Sequence, residues 1–311
     1  MRFSSLLKAV VLLAVVGGTA AFALTMPSRI PAGALVPHTA DLANGATMFN
    51  IGGCSSCHAT PNQQDRTRLG GGLALATPFG TFKVPNISPD ATYGIGAWSE
   101  EDFVNAMKKG IGRNGEHLYP AFPFTSYQRM RLDDVRDLYA YLKTLPPVAT
   151  PSQLHDLPFP FNVRRGLGLW QLLYVDGKAL ASEGSKDAVW NRGAYLVEGP
   201  GHCAECHSPR NLIGGIDSDR RFAGGADAEG KGWVPNITPH ADGIPNYSVK
   251  DIAYLLETGF TPDFDSVGSG MADVVKNTAK LSPDDRLAIA TYIKSLPPSP
   301  GKAPARIHKA H

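Results

Sequence analysis

Two five-residue runs carry the reactive groups of this chain: Cys54-Ser55-Ser56-Cys57-His58 and Cys203-Ala204-Glu205-Cys206-His207. Both read C-x-x-C-H. Two thiols at this spacing can add across the two vinyl groups of a haem and tie its edge to the backbone. The adjoining His then supplies an imidazole nitrogen to the iron. The pattern predicts two covalently bound haem c groups, one on Cys54 and Cys57 with His58 as ligand, the other on Cys203 and Cys206 with His207. Competing readings explain less. A redox dithiol of the thioredoxin kind needs a βαβ setting, a zinc site needs further thiols or imidazoles nearby, and plain disulfides leave the two histidines unexplained.

The sixth iron ligand decides what such a group does, because a Met thioether raises the potential and blocks substrate access. Met271, in VGSGMADVV, precedes a helix-capping Ser282 by eleven residues and is the expected ligand of the second haem; its competing role is to fill a core gap. The corresponding stretch of the first half is HLYPAFPFTSYQRM (117–130), with Phe122 where a Met would be expected. Met130 is the favoured ligand there, and Met107, His117 or a vacant position are the alternatives. Asn86, Asn236, Trp98 and Tyr247 stand as pocket residues that bond a propionate or the Met sulfur, or else satisfy loop backbone. His202, His240, His308 and His311 show no partner pattern and read as solvent-facing.

The elements that position these groups are written twice. GATMFNIGGCSSCHATP (45–61) matches GAYLVEGPGHCAECHSP (193–209), VPNISP (84–89) matches VPNITP (234–239), WSEEDF (98–103) matches YSVKDI (247–252), and YLKTLPP (141–147) matches YIKSLPP (292–298). The order is kept at a nearly constant offset, so two domains are expected, 41–148 and 189–298. Each reads as helices and loops, giving an all-α fold class. First helices are expected at Leu42 to Ile51 and Ala188 to Glu198, and middle helices from Ser99 and Ser248, each with Asp three residues on. Last helices are expected at Asp133 to Leu145 and after Ser282-Pro283-Asp284-Asp285. The intervening segment 149–188 contains LPFPFNVRRGLGLW (157–170), whose apolar residues predict packing across the boundary. The tail 299–311 reads as flexible.

Composition agrees with small, loop-rich domains built round a prosthetic group: 33 Gly, 25 Pro and 19% charged residues in 311. The formal net charge of +2 matches Arg2 and Lys8 of the leader, and no basic patch suited to nucleic acid is visible. Residues 1–24, a basic start followed by an apolar run to Leu24 with Ala21-Phe22-Ala23 as a cleavage signal, read as a signal peptide or an N-terminal anchor. Either puts the body in the periplasm, soluble or held at the inner membrane.

The ordered set CxxCH, VPNI-S/T-P, LYPAFPF-SY, D-D-V-x-x-L-Y-A-Y-L and RGAYLVEG-GHC-ECH-PRN, from Asn44 to Pro298, resembles the haem c cytochrome subunits of periplasmic alcohol and sugar dehydrogenases. Similar cytochromes serve molybdenum hydroxylases. The resemblance implies two tandem class-I-type cytochrome c domains that pass electrons from a dehydrogenase to quinone, an oxidase or another cytochrome. This chain has two such units where many of those subunits have three. No separate catalytic constellation is visible. The alternative function is a peroxidase-like dihaem enzyme, which would need the first haem open at its distal side.

Overall fold

The computed structural model describes residues 3–227 and 232–301; His308, His311 and the tail beyond 301 lie outside the described residues. In chain order it contains α1 (Phe3–Leu24), α2 (Leu42–Ile51), α3 (Cys54–His58), β1 (Ala74–Thr77), β2 (Gly80–Lys83), α4 (Glu100–Lys109), α5 (Phe124–Tyr127), α6 (Leu132–Leu142) and α7 (Leu167–Tyr174). There follow α8 (Ala188–Glu198), α9 (Ala204–His207), β3 (Gly225–Ala226), β4 (Trp233–Val234), α10 (Val249–Thr258), α11 (Ser269–Thr278) and α12 (Pro283–Lys294). The molecule is mostly helical. Its strands form two small antiparallel hairpins, β1 with β2 and β3 with β4.

The local signals act as their chemistry dictates. Ser99 and Ser248 each accept from the backbone of the Asp three residues on, and each Asp returns the bond, so both middle helices open on a capping box. Ser282 caps α12 with Pro283 at the first turn. Several elements depart from the sequence reading of helices and loops alone, among them α11 and both hairpins. Met271 lies in the first turn of α11 rather than in a loop. The flanking Gly268 and Gly270 disguise this helix, which forms because Val275 and Thr278 bury against the preceding helix; Thr278 Oγ1 donates to the Leu256 carbonyl. The β1–β2 hairpin was also unexpected. It is pinned by pairing of Thr81 with Asp156 and by burial of Phe82 against Tyr119 and Leu157.

Each half is organised round a crossing of its first and last helices, α2 with α6 and α8 with α12. The sequence reason is one small residue in each. A Cβ at Gly45 would sit 2.2 Å from the Asp137 carbonyl oxygen, and one at Gly193 would sit 1.9 Å from that of Ala288. Backbone therefore packs directly on backbone at the two equivalent GA positions of the repeat. One apolar core runs through both halves, joining Met48, Val104, Met130 and Leu138 to Leu196, Leu256, Leu281 and Ile289. The segment after Val148 is tied to the first half: Gln128 Nε2 donates to the Tyr174 carbonyl (2.9 Å), and Leu180 N–H donates to that of Arg129 (2.9 Å).

Asp137 is the polar anchor of the first crossing. Its carboxylate accepts from Asn44 Nδ2 (2.8 Å), the Asp41 N–H (2.9 Å) and His38 Nε2 (2.7 Å). Burial pushes its pKa up, but these donors outweigh burial and hold it below the ordinary value. A depressed carboxyl pKa stabilises the fold above the unfolded pKa of about 3.9, and the contribution is lost as pH falls through the folded value. Acid denaturation of Asp137→Asn is accordingly expected to show less loss of stability below pH ~4 than the wild type, from a lower starting stability. Denaturant titrations at several pH values measure this, and parallel curves for the two proteins refute it.

Candidate haem sites

The two C-x-x-C-H runs form short helices, α3 and α9, and the chain behind each is folded in the same way. Gly71 N–H donates to the His58 carbonyl (2.8 Å), and Gly224 N–H donates to that of His207 (2.8 Å). Both glycines have positive φ, +68° and +77°, and a Cβ on either would run into the Val-Pro-Asn segment, within 2.5 Å at Gly71 and 2.7 Å at Gly224. That close approach brings a Pro carbonyl under each histidine. His58 Nδ1 lies 2.8 Å from the Pro85 oxygen, and His207 Nδ1 lies 2.8 Å from the Pro235 oxygen. A carbonyl only accepts, so Nδ1 carries the proton and Nε2 keeps its lone pair. Burial lowers the His58 pKa to about 4, with the Pro85 bond opposing, and burial lowers His207 likewise. Both rings are neutral near pH 7 and offer Nε2 to a metal, in the tautomer and orientation that a second partner on Nδ1 imposes.

The cysteines are all free thiols. Burial, with Cys57 adding to it, pushes Cys54 up to about 12; burial, then Glu198 and Cys206, raises Cys203 to about 12. A redox dithiol requires the opposite shift. Among the described residues no group of three or more His, Cys, Asp or Glu is placed to hold a metal ion, as zinc would need. The donor set of paired thiols beside a neutral, oriented imidazole fits haem c at both positions.

The distal residues differ between the halves. Met271 is partly exposed, packed at the edge of the core. Met130 is fully enclosed, at 0% exposure, and its N–H donates to the carbonyl three residues back (Tyr127, 3.0 Å), as Leu281 does to Thr278 (3.1 Å). Met130 therefore occupies the place of Leu281. By the repeat, Met48 and Met107 stand where Leu196 and Leu256 stand, and all of these are core residues. His117 is also committed: Nδ1 lies 2.7 Å from Gln171 Oε1 and Nε2 lies 2.9 Å from the Thr25 carbonyl. Phe122, half-buried, packs on the rings of Tyr127 and Phe124. The amides of Asn86 and Asn236 are used within the protein. Asn86 Nδ2 donates to the carbonyls of Val148 (2.7 Å) and Thr150 (2.9 Å), Asn236 Nδ2 to that of Ser299 (2.8 Å), and each Oδ1 accepts from the N–H two residues on. Trp98 and Tyr247 are half-buried against the core.

Sequence reasoning missed a reciprocal pair of contacts, from each motif to the opposite half. In α3, Ser55 Oγ donates to Asn277 Oδ1 (3.0 Å) and Ser56 Oγ accepts from Asn277 Nδ2 (2.8 Å). In α9, Glu205 accepts from Thr125 (2.7 Å) and Ser126 (2.8 Å) and pairs with Arg210 (2.7 Å). Each motif thus docks through the residues between its cysteines onto the distal segment of the other half. His202 belongs to this seam and is not solvent-facing: its Nε2 lies 3.2 Å from the Gly52 carbonyl and its ring packs on Tyr127. His240 has a partner as well, Asp242 at 3.3 Å. The one visible signal was that the inter-cysteine pairs, Ser-Ser and Ala-Glu, each include a polar side chain and differ between the copies.

Thiols, imidazole and supporting carbonyl on a helical frame of crossed first and last helices define a haem-c-binding protein. The cytochrome c family model matches residues 42–146. A dihaem c-type cytochrome of Cereibacter sphaeroides is 47% identical over 287 residues, covering 92% of this chain and 96% of that protein. The fructose dehydrogenase cytochrome subunit of Gluconobacter japonicus is 38% identical over 264 residues (84% of this chain, 53% of that one). The cytochrome c subunit of the quinone-type alcohol dehydrogenase of Gluconobacter oxydans is 36% identical over 267 residues (82% and 55%). This chain belongs to the cytochrome c family, whose cofactor is covalent haem c. It spans nearly all of the Cereibacter relative and about half the length of the two dehydrogenase subunits.

Proposed function

We propose that this chain is a dihaem c-type cytochrome that moves single electrons from a periplasmic dehydrogenase toward quinone, an oxidase or another cytochrome. Its two tandem cytochrome c domains are residues 41–148 and 189–298, with 149–188 as an ordered connection. Cys54, Cys57 and His58 hold one haem; Cys203, Cys206 and His207 hold the other. The carrying observation is the duplicated proximal geometry, in which each His donates Nδ1–H to a Pro carbonyl at 2.8 Å and presents Nε2 beside a pair of free thiols. Bound haem supplies an Fe(III)/Fe(II) couple. The Pro85 and Pro235 carbonyls fix the rings and raise their basicity as ligands. Met271 would supply a thioether to the iron of the second haem, a ligand type that raises the potential. The crossed polar contacts of α3 and α9 tie each attachment helix to the other half, an arrangement that would hold the two haems in a fixed relation for electron passage. The 36–38% identical dehydrogenase subunits support a dehydrogenase as donor. The apolar α1 supports export to the periplasm, with the body free or anchored.

Met130 was the expected ligand of the first haem, and its place at the Leu281 position supports a packing role. The two roles separate cleanly by spectroscopy. Met271→Leu is expected to abolish the near-infrared Met-to-Fe(III) charge-transfer band and to lower the potential of one haem. Met130→Leu is expected to leave that band intact. A band that weakens in Met130→Leu makes Met130 a ligand and the two haems alike. Phe122 and the enclosed Met130 together favour one second reading: a first haem site open to peroxide or another small ligand, as in a dihaem enzyme. Cyanide titration of the oxidised protein distinguishes it, since one equivalent bound per chain supports the open site and none removes it.

A further inference from the structure

α7 is amphipathic in an inverted sense. Its inward face is Leu167, Gly168 and Gln171. Gly168 lies so close to Thr25 that a Cβ would stand 2.6 Å from the Thr25 Cβ, and Gln171 Nε2 donates to the Gly110 carbonyl (3.1 Å). Its outward face, at the i, i+3, i+4 spacing of one helical stripe, is Leu169, Leu172 and Leu173, which are 54%, 56% and 68% exposed. The preceding turns add Phe159, Phe161 and Val163, Phe159 being 80% exposed. These residues expose apolar side chains where a soluble face would be polar.

What covers it is indicated by its neighbour. From Leu6 to Leu24 the described side chains of α1 are apolar but for Lys8 and Thr19, and exposed but for the half-buried Ala21; 19 residues at 1.5 Å each give about 28 Å, the thickness of a hydrocarbon core. The end of that helix is fixed against the start of α7. Thr25 is buried, its carbonyl faces His117 Nε2 (2.9 Å), and Arg165 donates to the Phe22 carbonyl (2.6 Å) while its guanidinium lies over the Phe22 ring (4.3 Å to centroid). Arg164 lies alongside, over the Tyr119 ring. Where α1 leaves the apolar layer, the chain thus presents two arginines, the paired rings of Trp170 and Tyr174 (4.5 Å) and an exposed leucine stripe. Basic, aromatic and aliphatic groups in that arrangement match the headgroup and upper acyl region of a bilayer carrying anionic lipid.

We propose that the outward face of residues 159–173 lies in the surface of the lipid bilayer, so that the body is held flat against the membrane by a second contact beside α1. The inference rests on the reading that α1 brings the body to a membrane. It fixes which side of the molecule faces the lipid. The full-length holoprotein, reconstituted in vesicles of phosphatidylethanolamine and phosphatidylglycerol, tests it. Nitroxide labels are placed at Leu169→Cys, Leu172→Cys and Leu173→Cys, with Phe264→Cys, 97% exposed in the second half, as the aqueous reference. The expected result is a reversal of accessibility. Labels at 169, 172 and 173 should relax with lipid-soluble oxygen and resist an aqueous nickel chelate, whereas the label at 264 should do the opposite. If the protein floats with the vesicles but those three labels are as open to nickel as the reference, the α7 face is wet and the inference fails while the reading of α1 survives. If it neither floats nor shields the labels, both fail. Labels shielded from oxygen and nickel alike mean that protein covers the face, which also overturns the proposal.

Discussion

Replacing Cys203 and Cys206 together by Ser is expected to halve the covalently bound haem and leave the first motif loaded. The converse pair, Cys54 and Cys57 to Ser, should leave haem on the second. Each site carries its own attachment thiols, its own His and its own supporting carbonyl, Pro85 or Pro235. Loading of one site therefore needs no donor from the other. Haem stain and pyridine haemochrome per polypeptide measure the result. Loss of all haem from either double variant would contradict independent sites. A full complement of two would show that the cysteines named are not the attachment points.

The second large effect is expected at Glu205. Its carboxylate is buried in the seam, where Thr125, Ser126 and Arg210 all point at it. Burial alone would push its pKa up, but the Arg210 charge and the two hydroxyl donors outweigh burial and keep it below the ordinary range. Glu205→Ala leaves two hydroxyls without their acceptor in a packed interface, at about 1–3 kcal/mol for each group that stays dry. Arg210 is about one-third exposed and regains water, so it adds less. A loss on the order of 2 kcal/mol or more is expected in denaturant unfolding, with slower electron transfer between the two haems after flash photoreduction. Glu205→Gln keeps the shape and an acceptor and should fall between. An Ala variant with wild-type stability and an unchanged rate would mean that the seam does not join the two motifs.

These two predictions differ in how far the sequence alone reaches them. The C-x-x-C-H runs are local and chemically specific, so the proposed attachment residues can be named without any structure. Helix starts are equally local: Ser99 with Asp102, Ser248 with Asp251 and Ser282 with Pro283 each satisfy orphan N–H groups within one turn. The Glu205 contact joins residues eighty positions apart, and nothing near Thr125 or Ser126 announces a partner in the second half. The helix at Met271 was hidden for a related reason. Gly268 and Gly270 argue locally for a loop, and burial of Val275 and Thr278 against the preceding helix overrides them. Asn86 and Asn236 were legible as important but ambiguous in role, because an amide suits a propionate and a backbone carbonyl equally well. Only the positions of Val148, Thr150 and Ser299 decide how those amides are used.

The Met130 question shows what a repeat adds. Taken singly, a sulfur near the expected distal position reads as a ligand. Taken against its counterpart, it is a residue of Leu281 type, with the same i−3 hydrogen bond and the same burial. On the function proposed above, the two halves would have like proximal sides and unlike distal ones, and the measured potentials of the two haems would then differ.

Two haems bound covalently to one chain, at the two repeated motifs, are the centre of the proposed function. Intact mass spectrometry of the denatured, fully matured protein measures them most directly. The expected mass is that of the polypeptide plus two haems, with one haem on the proteolytic peptide containing residues 54–58 and the other on that containing 203–207. A chain carrying a single haem, or haem that departs on denaturation, would contradict it.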